Sequence, residues 1–174
     1  MAMVGLFWIA EGDVYVGAKP SGLARGVRLT PEGVIALGDG QSRLYLWEDV
    51  HALTVADVPV KSFRRQVGAV TGMALSTVIN LAAPEGGPAD EAPPLMTVYV
   101  ESGDGKDELQ TFTAAAVGYT QAEVGLSRAL LTRLTEGAAT MATTLTAMSE
   151  WGRAREGGSP RRAEREALLR EWLA

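Results

Sequence analysis

The chain has no cysteine and a single histidine among its 174 residues. Without thiols it cannot form disulfides, thiolate nucleophiles or cysteine-held zinc or iron–sulfur sites. His51 alone is too little imidazole for a histidine-rich metal site. No stretch approaches the roughly 18–20 consecutive apolar residues that a membrane-crossing helix needs. Excess positive charge is lacking too: the formal net charge is −5, which disfavours a general phosphate-backbone binder and so argues against nucleic acid as a partner. The opening "MAMVGLFWIAEGD" has no basic leader and no small-residue cleavage site. It therefore reads as a strand rather than a signal peptide, and the expected location is the cytoplasm.

What remains is ordinary globular material. Apolar residues make up 47% and charged residues 21%, enough to build a core and too little charge for wholesale disorder. A chain of this length fits one domain with an appendage and buries roughly two-thirds of its unfolded surface. Short runs rich in Val, Ile, Leu, Tyr and Thr predict strands near 4–10, 13–18, 26–30, 33–37, 43–47, 51–58, 69–82, 95–101 and 108–114. Gly38-Asp39-Gly40 and Gly103-Asp104-Gly105 each separate two such runs and read as hairpin turns. Thr30-Pro31-Glu32-Gly33 is a third turn, with Pro31 at its first central position. In the run 69–82, Met73, Leu75, Ile79 and Leu81 share one face on a period of two. The Pro-rich, Gly-rich, acidic stretch 82–94 reads as a long exposed loop.

Helix signals come late. Thr120-Gln121-Ala122-Glu123 matches a capping box, in which hydroxyl and carboxylate each satisfy a free backbone N–H. Ala122, Leu126, Ala129, Leu130, Arg133 and Leu134 then recur at three- and four-residue steps, predicting a helical stripe that stops at Gly137. Met141, Leu145 and Met148 predict a second helix to about residue 152. Ser159 as N-cap and Pro160 at the first helical position open a third, charged helix with Leu168, Leu169, Trp172 and Leu173 as its apolar edge.

The stretch "VRLTPEGVIAL", the turn Gly38 to Gly40 and "RLYLWEDVHALTV" together resemble bacterial pleckstrin-homology-like domains. The resemblance covers residues 26–58 by motif and 4–136 by element order. It implies an α+β, mostly β fold: a sandwich or partly open barrel of seven to nine antiparallel strands, closed by a C-terminal capping helix. On this reading residues 1–137 form the sandwich with its helix, and 138–174 a helical extension that a minimal domain of the type lacks.

Catalytic chemistry is sparse. His51 with Asp49 could form a base and its orienting acid, but no G-x-S-x-G elbow supplies a nucleophile. Glu48 and Asp49 are adjacent, so on a strand they point apart, while Leu44, Leu46, Leu53 and Val55 are expected to face the core around an anchoring Trp47. Asp104, Asp107 and Glu108 lack calcium-loop spacing, and no Gly-x-Gly opens a helix as a phosphate cradle would. No catalytic, cofactor or metal residues are assigned. Two loop clusters, Lys19/Arg25/Arg28 and Lys61/Arg64/Arg65, are candidate anion sites. Trp151, Leu168, Leu169, Trp172 and Leu173 are candidate partner-binding residues on the tail. The expectation is a non-enzymatic module acting through a protein partner or self-association. The alternatives are a peripheral anion or phospholipid binder and a small carboxylate enzyme around Glu48, Asp49 or Asp104.

Overall fold

The computed structural model describes residues 1–61, 94–115 and 118–174. Among the described residues it is an α+β fold of two antiparallel sheets and three helices. The first sheet is a six-stranded meander of β1 (Ala2–Val4), β2 (Phe7–Ala10), β3 (Asp13–Val16), β4 (Gly26–Leu29), β5 (Gly33–Leu37) and β6 (Arg43–Leu46). The second is the meander β7 (Val50–Ala56), β8 (Leu95–Ser102) and β9 (Gly105–Phe112). Helices α1 (Gln121–Leu134), α2 (Ala138–Ala154) and α3 (Arg162–Leu173) follow. Among the described residues the strands form no closed barrel, and no helix is long and apolar enough to cross a membrane. The predicted strand at 69–82, the loop at 82–93 and Arg64 and Arg65 lie outside the described residues.

Strand period fixes which side chains enter the core. Cross-strand partners Ile9, Val14, Leu29, Val34 and Tyr45 form one buried row on the first sheet, and Phe7, Val16, Val27 and Ala36 form the next. The three turns fall where the sequence places them. At Thr30 to Gly33 the hydroxyl of Thr30 both donates to the Gly33 carbonyl and accepts its N–H, closing the β4–β5 turn from inside.

The opening run departs from expectation. Residues 4–10 are not one strand but a hairpin, folded at Gly5 and Leu6, with Gly5 at φ +57°. That backbone region is costly for residues with a Cβ. Apolar residues on both sides hid the turn, because Leu6 is itself fully buried and its N–H donates to the Ser127 hydroxyl of α1. β6 also differs: Tyr45 faces the core, while Leu44 and Leu46 are 47% and 39% exposed. Period two allows only one of the two sets inside, and the Tyr45 hydroxyl finds an acceptor in Asp107.

The sheets are joined by a polar seam. The Gln41 amide donates to the carbonyls of Gly26, Leu37 and Gln110 and accepts the Gln110 N–H, pairing with β9 as a strand residue would. Thr111 donates its hydroxyl to the Val16 carbonyl, and the Ala18 N–H donates to Phe112. Gly17 lies so close to the Phe112 carbonyl that a Cβ there would collide with it.

The helices cover the first sheet from its β1 end. α2 crosses β2 and β3, α3 lies against β1 and α1, and α1 reaches β7. Residues 138–174 therefore share one continuous core with the sheets, through Met141, Leu145, Met148, Leu169 and Trp172. α2 runs to Ala154, two residues past the expected end. The buried face of α1 is turned from the expected stripe: Glu123, Val124, Ser127, Leu130, Leu131 and Leu134 are inside, whereas Ala122 and Ala129 are exposed. α3 begins at Arg162 with Arg161 as N-cap, because the Ser159 hydroxyl instead accepts the Met3 N–H.

Two helical glycines give opposite expectations. Gly152 of α2 rests on Ile9, whose Cγ2 a new Cβ would overlap, while Gly125 of α1 has open space around it. Gly125→Ala should stabilise by about 0.4–1 kcal/mol through helix propensity and reduced unfolded-state entropy. Gly152→Leu should destabilise by at least about 1–3 kcal/mol through overpacking. Urea denaturation of the two variants checks the signs; a stable Gly152→Leu would mean that α2 does not rest on β2.

Candidate functional site

The residues around Trp47 form a joint between the two sheets. The Trp47 indole N–H donates to the Thr30 carbonyl at 2.7 Å, and Val50 is buried beside it. Glu48, Asp49 and His51 are all exposed at the strand junction. Trp47 thus anchors the joint as expected, and the acids beside it lie in solvent. Of the acids further on, Asp107 accepts from Arg43 at 3.0 Å and from the Tyr45 hydroxyl at 2.7 Å, and Asp104 accepts from Arg43 at 3.3 Å. Burial and the Asp107 carboxylate push the Tyr45 phenol up to about 12. Burial also pushes the Tyr119 phenol to about 12, against the two backbone N–H groups of Ala114 and Ala115 that donate to it. Both phenols stay protonated at neutral pH and serve as structural donors or acceptors. Among the described residues no group of three or more His, Asp or Glu side chains could hold a metal ion.

The first basic cluster is divided among separate roles. Arg28 is bound to Asp13 at 2.6 Å, Arg25 donates to the Asp39 carbonyl, and Lys19 is exposed. Of the second cluster only Lys61 is described. It is half-buried, and its backbone N–H donates to the Tyr119 carbonyl.

The tail requires a correction. Its apolar edge is not free: Leu169 is fully buried, Trp172 is 6% exposed, and Trp151, Leu168 and Leu173 pack against the same core. Trp151 and Trp172 meet edge to face with centroids 5.8 Å apart, a geometry that the ring quadrupoles favour. These candidate partner-binding residues are instead taken up within the chain, because the β1–β2 turn and α1 provide a seat.

At the centre of that seat is a residue that sequence reasoning recognised for only half of its role. Glu123 closes the capping box, accepting the Thr120 N–H at 3.1 Å while its own N–H donates to the Thr120 hydroxyl. Its second carboxylate oxygen accepts from Arg165 Nε of α3, and Arg165 also donates to the Pro160 carbonyl. Glu123 is 1% exposed. Burial raises its pKa, but the Arg165 guanidinium and the Thr120 donors outweigh that and hold the carboxyl below its usual range. A search of family models, curated proteins and solved structures finds no match to this chain.

The buried pair should control acid stability. Since Glu123 is depressed in the folded state, its contribution is complete above the ordinary Glu value of about 4.3. It is then lost as pH falls through the lower folded value. Glu123→Gln should therefore flatten the loss of stability below about pH 4.3, measured as urea midpoints at successive pH values. Arg165→Met at pH 7 should cost about 3–5 kcal/mol, because it strands a buried carboxylate. Adding Glu123→Met to Arg165→Met should recover most of that loss, and additive losses would refute the coupling.

Proposed function

We propose that this chain is a non-catalytic binding or scaffold module, pleckstrin-homology-like in kind, that works in the cytoplasm through protein contacts. The observation that carries the reading is the edge strand β6. It pairs only with β5 among the described residues, and it presents Leu44 and Leu46 to solvent. An edge with free backbone groups and exposed leucines is a template for an added strand, main-chain bonds giving affinity and alternate side chains giving specificity. A fold of this kind hosts many unrelated roles, so the reading rests on that edge rather than on architecture. The acids invoked by an enzyme reading do not converge: Glu48 and Asp49 are exposed at the joint, and Asp104 is held by Arg43 on the β8–β9 hairpin. The anion-binding reading loses Arg28 to Asp13.

Leu44→Lys together with Leu46→Lys provides the test. Both side chains are on the solvent side of an edge, so stability should change by less than about 0.5 kcal/mol per site. Capture of partners from the source cell, quantified by mass spectrometry against wild type, should fall at least tenfold for the proteins bound through this edge. An unchanged partner set with an intact fold would remove β6 as the contact surface.

A further inference from the structure

Apart from an ion pair between its Glu164 and Arg155 at the end of α2, α3 is retained by its seat. It has 12 residues and no side-chain N-cap bond, and helices this short are marginal in water. Three side chains at i, i+4 and i+7 hold it. Arg165 enters the buried carboxylate of Glu123, Leu169 fits against Gly5 where the β1–β2 turn meets Ser127, and Trp172 meets Trp151 edge to face. The connection from α2 crosses exposed Glu156, Gly157, Gly158 and Ser159, and nothing lies within 4 Å of where a Cβ would be at either glycine. An empty seat would leave a buried carboxylate without its cation and a leucine-sized gap. What it selects is therefore narrow: a helix with Arg, Leu and Trp at that spacing.

We propose that the seat of α3 is an exchangeable helix-binding groove, and that the partner it fits is the α3 of a second copy of this chain. Each of the three seat contacts that hold α3 within one copy can form between two, because the seat and the helix are the same surfaces in both; the Arg155–Glu164 and Ser159–Met3 contacts lie on the connection itself. Only the course of residues 155–161 differs between the closed single chain and the exchanged pair. The resident helix competes with the incoming one, so apparent affinity is reduced by the fraction of chains whose seat is open. The seat borders β1, at the opposite edge of the sheet from β6. A failure of the β6 contact and a failure of the exchange are thus separately visible.

The probe is a fluorescein-labelled peptide of residues 159–174, titrated into the full chain and followed by anisotropy. Saturable binding is expected. A full chain carrying Arg165→Ala should bind the wild-type peptide at least tenfold more tightly than the wild-type chain does, since its own helix competes less. A peptide carrying Arg165→Ala or Trp172→Ala should bind at least tenfold more weakly than the wild-type peptide. The chain with Leu44→Lys and Leu46→Lys should bind the peptide as wild type does. Equal binding of all three peptides, or no gain for a folded Arg165→Ala chain, overturns the proposal. Should Arg165→Ala not fold, deletion of Gly157 and Gly158 decides the matter while keeping every seat contact. A discrete dimer by light scattering is expected, and a folded monomer or a mixture without a dimer overturns it.

Discussion

One carboxylate orders the helical half of this protein. Glu123 accepts a backbone N–H at the start of α1 and a guanidinium from α3, so a single side chain fixes where one helix begins and where another docks. A buried charge is tolerable only when both oxygens are satisfied, so the arrangement holds as a unit. With Arg165 in place, Leu169 is set over Gly5 and Trp172 against Trp151. Ser127, one turn beyond Glu123, receives the Leu6 N–H from the tight turn between β1 and β2. The same face of α1 therefore holds the first hairpin and the last helix, tying the two ends of the chain together.

The sheet half depends on a different device. Two meanders that share no strand would slide past one another if only apolar surface lay between them, since hydrophobic contact is non-directional. Hydrogen bonds with defined geometry prevent that. Gln41 pairs with the backbone of β9, Thr111 reaches back to β3, and Asp107 gathers Tyr45 and Arg43 from β6. Each of these polar groups comes from a turn or an edge, where period-two burial leaves a side chain free to reach the other sheet.

Strand periodicity and turn chemistry were legible in the sequence because they act locally. The turns at 30–33, 38–40 and 103–105, the capping box, and the Met141, Leu145 and Met148 face all follow from residues within a few positions of one another. The misread features share the opposite property. The buried face of α1 contains Glu123 and Ser127, which look like solvent residues until Arg165 and Leu6 are brought to them across 42 and 121 positions. Ser159 carries a good N-cap signal, yet its hydroxyl meets Met3 from 156 positions away. At β6, alternation correctly separates Leu44 and Leu46 from Tyr45, but only the distant Asp107 decides that the tyrosine goes inside. The tail looked unseated because its seat is assembled from a hairpin at the other end of the chain.

The two edges of the six-stranded sheet are handled unequally, and that asymmetry links the fold to its proposed role. β1 is covered by α3, so its exposure follows whatever displaces that helix. β6 is held along one side by β5, inward by the Tyr45 hydroxyl on Asp107, and at its ends by Trp47 on Thr30 and by Arg43 on the β8–β9 hairpin. Between those ties its leucines are left to solvent, although the neighbouring Tyr45 shows that an inward position was available to an apolar residue. Isolated exposed leucines need no explanation, but two on one edge that has no second partner strand among the described residues are what the proposed strand-binding role would use. A contact at β6 would extend the sheet without disturbing the Glu123 assembly, whereas a contact at the β1 end requires α3 to move. On the proposed reading the fold thus separates a standing surface from a conditional one, with the buried ion pair between Glu123 and Arg165 setting the threshold between them.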